Sequence, residues 1–150
     1  MQLLELPFEP ASASVARRHL THVLRTSGVP EITCEDAALI VSELVGNALR
    51  HGQAMRGGRL RVGWQFGDEG LRIEVTDGGA GVPALRNGDA LASSGRGLDI
   101  VATLADAWGF ASEPDGTVVW ARFSDEIRAQ RRRRERSRAT AAMTTEAASA

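Results

Sequence analysis

Lysine is missing from the 150-residue chain, whose 18 basic residues are all arginine. That absence excludes a Walker-type phosphate-binding loop, which needs its lysine at the phosphates, and any chemistry built on a lysine amine. Cysteine is nearly missing too. A single Cys34 rules out an intramolecular disulfide, and no Cys/His cluster has the spacing of a structural zinc site. Cys34 is expected in the first turn of a helix as a small filler rather than a nucleophile. No apolar run is long enough to span a membrane, and the N-terminus lacks the cationic-then-apolar pattern of a signal peptide. The chain is therefore expected to be cytoplasmic and without a membrane partner.

Charge is distributed unevenly. Residues 1–125 hold 11 Arg against 16 Asp and Glu, a balance of −5; residues 126–150 hold 7 Arg against 3 Glu, a balance of +4. Nucleic-acid-binding domains present basic surfaces, so an acidic core argues against nucleic acid as the partner. The run from Arg128 to Arg138 can hold RNA, anionic lipid or an acidic protein, but its composition, continued through Ala139–Ala150, reads as a solvated, disordered extension. The expected organisation is one domain at 1–125, enough for a single core, and an Arg-rich tail at 126–150.

Periodicity places the elements. Leu3–Phe8 alternates weakly, as an edge strand does. Ala11–Thr26 reads as a helix with Val15, His19 or Leu20, Val23 and Leu24 inward, ended by Gly28-Val29-Pro30. Thr33 with Asp36 suggests a capping box for a second helix that runs to Gly52. Arg59–Phe66 carries Leu60, Val62, Trp64 and Phe66 on one parity and turns at 67–70 into Leu71–Asp77, a hairpin. A helix is expected over Gly97–Ala107, then strands at Trp108–Glu113 and Thr117–Phe123. This order predicts an α+β (α/β) two-layer sandwich with helices on one face of an antiparallel-rich sheet.

Three segments carry chemistry. In the second helix, Glu43, Asn47 and His51 fall at about 0°, 40° and 80°, a polar stripe beside the apolar Ala37, Ile40, Val41, Leu44 and Ala48. A carboxylate and a carboxamide one turn apart can serve one ligand, Glu43 accepting a proton and Asn47 giving a neutral oxygen to a hard cation such as Mg²⁺. An ordinary amphipathic helix with a solvated edge has the same pattern. Next, Asp77 shares the parity of Leu71, Ile73 and Val75, so it points inward at a strand end, where a carboxylate needs a partner from the protein or a ligand. Gly78, Gly79 and Gly81 let the backbone turn sharply there, although a Gly-rich turn whose Asp bonds its own loop looks the same. Third, Ser93-Ser94-Gly95-Arg96-Gly97 leads into a helix, a place where free N–H groups favour an anion and where a serine cap alone also fits.

Taken in this order, the segments resemble the GHKL ATPases with the Bergerat nucleotide fold. Residues 36–52 look like the N box, 75–83 like the D-x-G-x-G box and 94–101 like the second glycine box. Residues 41–52, 77–81 and 94–98 are similar to the pattern of the small anti-sigma-factor serine kinases, and Gly116–Ala121 to their closing strand; the likeness covers roughly residues 5–125. The resemblance implies a mixed, mostly antiparallel sheet and a cofactor pair of ATP and Mg²⁺. It implies that Asp77 accepts from the adenine amino group, that Gly79 and Gly81 line that pocket, and that Thr117 holds a water beside it. Asn47 would be the Mg²⁺ ligand, Gly95, Arg96 and Gly97 would cradle phosphates, and Glu43 would orient or deprotonate the nucleophile. Residues 82–93 would form the lid, and Arg50 would lie on the partner-facing side.

The implied activity is that of a serine/threonine protein kinase acting as an anti-sigma factor, with a sigma factor and an antagonist protein as partners and homodimerisation through the first helix and the neighbouring strand. The alternative is a non-catalytic module that binds a protein when ATP is bound. A third reading is an adaptor for nucleic acid or membrane acting through the arginine tail. Ser93 stands where, by alignment of the motif, the better-known kinases of this type carry a basic residue, which weighs on transfer more than on binding. Only 42 residues precede Glu43, too few for the first elements and a phospho-accepting hairpin together, so a complete sensor histidine kinase is not expected.

Overall fold

Alternation with a period of two turns the apolar residues of each strand to one side. Leu60, Val62 and Trp64 are buried on one strand and Leu71, Ile73 and Val75 on the next, as the pattern predicts. The computed structural model is described for residues 1–67, 70–79 and 96–124. Its elements are β1 (Gln2–Pro7), α1 (Ala11–Thr26), α2 (Glu31–His51), β2 (Arg59–Gly67), β3 (Gly70–Asp77), α3 (Arg96–Leu104), β4 (Ala107–Glu113) and β5 (Gly116–Phe123). The strands form one sheet in the order β1-β2-β3-β5-β4. Every pairing is antiparallel, so among the described strands the expected mixed sheet is wholly antiparallel.

The helices pack on one face of this sheet. Leu20 and Leu24 of α1, Ile40, Leu44 and Val45 of α2, and Val101 of α3 join the inward residues of β2, β3 and β5 in one core. Helix α2 contacts both α1 and α3 and lies across β3. Its buried residues, from Thr33 to Ala48, span an arc of about 160° at 100° per residue, wider than a surface helix needs. The opposite face of the sheet is polar: Arg72 lies over the Trp120 ring at 4.6 Å and its Nε is 3.2 Å from Glu74.

Three expectations are corrected. In α1 the buried residues are Ser12, Ala16, Leu20 and Leu24, whereas Val15 is exposed and His19 meets the Trp64 ring only edge-on, with centroids 5.5 Å apart. The buried stripe follows the i, i+4 row through Leu20 and Leu24, and Ser12 is accommodated on it because its Oγ donates to the Pro7 carbonyl at 2.6 Å. Helix α2 begins at Glu31 with Pro30 as N-cap, so Thr33 lies within the first turn and is not the cap; the Pro30 carbonyl accepts from the N–H groups of Thr33 and Cys34. Phe66 is exposed; β1 starts at Gln2 opposite Trp64, so that part of β2 has no neighbour on the β1 side among the described residues. Cys34 is buried as expected, its Sγ 3.5 Å from the Val29 carbonyl.

The α1–α2 connection is set by backbone geometry. Gly28, at φ +76°, donates to the Arg25 carbonyl and Val29 to the Leu24 carbonyl, the paired bonds of a Schellman motif, with Val29 and Leu24 both buried. Across the connection, Arg25 at the end of α1 makes a bidentate pair with Glu31 at the start of α2, where each charge also suits its helix dipole. The hydrogen bond from Arg25 is the main reason the Glu31 carboxyl lies below its ordinary value of 4.5.

Two glycines should separate backbone strain from steric conflict. Gly28 has open space around it, so Gly28→Ala is expected to cost only about 1 kcal/mol for its left-handed φ. A Cβ on Gly116, at φ +145°, would lie 1.8 Å from the Asp77 carbonyl oxygen, and Gly116→Ala is expected to cost more than about 2 kcal/mol; urea unfolding measures both. For the ion pair, a lowered folded-state value means stability present above the ordinary carboxylate range and lost as pH falls through that lowered value. Glu31→Gln should therefore lower the melting temperature slightly at neutral pH and low salt. The difference from wild type should vanish in strong acid and in high salt.

Candidate functional site

Asp77 is the last residue of β3 and sits opposite Thr117 of β5, on the core face of the sheet. Its parity with Leu71, Ile73 and Val75 turns it inward, and it is 5% exposed. The carboxylate is held by backbone: Oδ1 accepts from the Gly79 N–H at 2.7 Å and, at 3.5 Å, faces the Gln53 N–H. No hydrogen bond among the described residues reaches Oδ2. Thr117 Oγ1 donates to the Gly79 carbonyl at 3.0 Å, and the Gly78 N–H to the Gln53 carbonyl at 2.7 Å. These bonds tie the end of β3 to β5 on one side and to the segment after α2 on the other.

Glycine is needed where these pieces meet. A Cβ on Gly52, the residue that closes α2, would lie 2.5 Å from Asp77 Oδ2 and 2.6 Å from the Ala48 carbonyl. One on Gly79 would lie 2.8 Å from Asp77 Oδ1, and one on Gly78 2.4 Å from the Ala54 carbonyl. The C-terminal end of α2 thus rests directly on the carboxylate, and this contact brings the α2 stripe to the same end of the sheet.

Along the stripe, exposure rises on either side of Asn47. Asn47 is 9% exposed, Glu43 is half-buried, and His51 and Arg50 are exposed. The helical wheel accounts for the first two, since Asn47 lies at the border of the buried arc and Glu43 about 40° further out. His51 is the last helical residue, beyond the covered part of α2. The Asn47 carboxamide makes no hydrogen bond among the described residues, so both its oxygen and its amide group remain available at the edge of the core.

The structure therefore brings Asp77, Gly79 and Thr117 together and places Asn47 and Glu43 on the helix whose end contacts them. Arg96 and Gly97 open α3. Gly81, Gly95, the 82–93 segment and the 126–150 tail lie outside the described residues. Sequence reasoning missed three contributors: Gly52, the Gln53 backbone and the closeness of Gly116 to the Asp77 backbone. Gly52 closes the N-box likeness, but neither its contact with Asp77 nor that of the Gln53 backbone has a signal in the sequence, because only tertiary packing sets the end of α2 on β3. Among the described residues no three His, Cys, Asp or Glu side chains gather into a metal site, and no helix is long and apolar enough to cross a membrane.

Comparison with solved structures agrees with this architecture. The fold is similar to that of the RsbU and RsbW domains of Rv1364c from Mycobacterium tuberculosis, with a TM-score of 0.61 and 20% identity over 83% of this chain; the chain spans 32% of that one. It is also similar to the SiaB–SiaC complex from Pseudomonas aeruginosa, with a TM-score of 0.59, 10% identity and coverage of 82% of this chain and 89% of that one. At such identities the likeness establishes the fold alone. No curated protein matches the chain in sequence. Residues 6–123, nearly all of the described fold, match the histidine kinase-like ATPase domain, and the chain belongs to that family.

Proposed function

We propose that the chain binds Mg²⁺·ATP at the Asp77 end of the sheet and transfers a phosphoryl group to a serine or threonine of an antagonist protein, switching its hold on a sigma factor. The observation that carries the reading is the Asp77 carboxylate: a buried acceptor with Oδ1 engaged by backbone and Oδ2 without a hydrogen bond from the described residues. An adenine amino group fits that acceptor, and a carboxylate that otherwise lacks a partner discriminates strongly between bases. Gly79 keeps the backbone close to it, and Thr117 fixes the Gly79 carbonyl.

Asn47 is the residue to hold the cation. Mg²⁺ keeps several waters and takes few protein ligands when phosphates supply the rest, so one carboxamide oxygen is a sufficient anchor. Bound Mg²⁺·ATP would supply the transferable phosphoryl group and neutralise part of its charge. Glu43, half-buried one turn before Asn47, is placed to accept the proton of an incoming hydroxyl. Gly81 would line the base pocket, and Gly95, Arg96 and Gly97 would hold the phosphates. A protein partner is consistent with the SiaB fold being seen in complex with SiaC.

Ser93, in place of a basic residue beside the second glycine box, favours a second reading in which nucleotide binding persists and transfer is slow. The chain would then recruit its partner in an ATP-dependent way without modifying it.

Titration calorimetry and ADP release separate the readings. Wild type is expected to bind Mg²⁺·ATP, Asp77→Asn at least tenfold more weakly, a loss of about 1.4 kcal/mol, and Asn47→Ala without dependence on Mg²⁺. Glu43→Gln should bind ATP as wild type does while ADP release falls about 100-fold or more. Absence of wild-type binding would end the nucleotide reading. Binding with no ADP release from wild type, even with partner present, would leave the recruiting module.

A further inference from the structure

The polar face of the sheet, opposite the helices, carries a set of side chains that the nucleotide site does not use. A groove of about 630 Å³ is lined there by Glu5, Arg56, Arg59, Arg61, Gly78 and Asp115, among others. Strand register accounts for the grouping: Glu5 lies opposite Arg61 and Pro7 opposite Arg59, so Glu5, Arg59 and Arg61 share one face. Arg56 stands in a tight turn in which the Gly58 N–H donates to the Met55 carbonyl at 3.0 Å and Gly57 has φ +77°. That geometry is a type II turn, which fixes the backbone of Arg56 at the groove.

The guanidinium groups are thinly partnered. Glu5 is shared between Arg59 at 4.0 Å and Arg61 at 3.8 Å, and Arg61 is 4.0 Å from Asp115. All three separations exceed hydrogen-bond length. Arg56 makes no ion pair among the described residues. Each guanidinium carries five N–H donors in a fork suited to carboxylates, and these contacts leave that capacity open.

We propose that this groove docks an acidic segment of a partner protein, its Asp or Glu carboxylates entering between Arg56, Arg59 and Arg61. Charge selects the occupant: three arginines against two acids make a local positive site on a domain whose residues 1–125 sum to −5. A short acidic segment responds to the local field, whereas a long polyanion such as RNA is repelled by the rest of the domain. Apolar surface beside the groove favours a peptide over a bare phosphate. Leu3, 59% exposed, shares the outward parity of Glu5, and Met1 Sδ lies close to Gly63 on the same face. The site is independent of the nucleotide reading, although Gly78 in its lining directly follows Asp77.

The test is an NMR titration of the ¹⁵N-labelled full chain with hexaglutamate at low ionic strength. Amide shifts are expected at Arg56, Arg59, Arg61 and Gly78, with affinity reduced about fivefold or more in Arg56→Gln and unchanged in Arg18→Gln on the exposed side of α1. Arg56 is exposed, so its variant is expected to fold normally. Shifts confined to residues 128–138, or indifference to Arg56→Gln, would overturn the proposal. Equal or tighter binding of tripolyphosphate or hexauridylate at the groove would overturn it too, leaving a small-anion or RNA site in its place.

Discussion

A carboxylate buried at the end of an inner strand imposes conditions on everything around it. Asp77 has to be satisfied where water is scarce, because an isolated buried charge costs far more than a domain's margin of stability. The chain meets this with backbone N–H groups, from Gly79 in the following turn and from Gln53 after α2. Backbone donors can approach so closely only where side chains are missing, and Gly52 and Gly79 supply that space. The position of α2 on the sheet, the sharp exit from β3 and the pairing of β3 with β5 at Thr117 all meet at this one group.

Stability and the proposed activity consequently draw on the same contacts. Helix α2 contributes Ile40, Val41, Leu44 and Val45 to the core while carrying Glu43 and Asn47 on its margin. A ligand at Asp77 and a cation at Asn47 would therefore be held by the most deeply embedded helix in the described fold rather than by a loop, and rigid placement is what phosphoryl transfer requires of a protein. Sequence variation in the core of α2 would reach the site through displacement of those two side chains.

The inward orientation of Asp77 was legible because strand parity is strict: any residue two positions beyond Val75 faces the same way. The burial of Asn47 and the half-exposure of Glu43 follow as directly from helical periodicity. Helix α1 was less readable, since Ser12 and Ala16 carry no strong apolar signal and lie inward on the row of Leu20 and Leu24, where the Ser12 hydroxyl is satisfied by the Pro7 carbonyl. The start of α2 was misplaced for a related reason. A Thr-x-x-Asp pattern suggests a cap, but Pro30 already ends the preceding turn and offers its carbonyl to the N–H groups of Thr33 and Cys34. Contacts made between elements distant in sequence, such as Gly52 against Asp77, leave no periodic trace at all.

Pro7, the last residue of β1, has a further consequence for how the molecule behaves in a crowded solution. Among the described residues the five-stranded sheet ends in two strands, β1 and β4, each paired on one side only. Such borders are templates for adding a foreign strand, which is how sheet proteins begin to aggregate. The Phe8 N–H donates to the Gly58 carbonyl, toward β2, so alternation directs the amide positions of Leu3, Glu5 and Pro7 to the outer border. Proline has no hydrogen there to donate, and Glu5 adds charge beside it. An incoming strand finds a gap in the row of donors, while the native pairing with β2 loses no hydrogen bond.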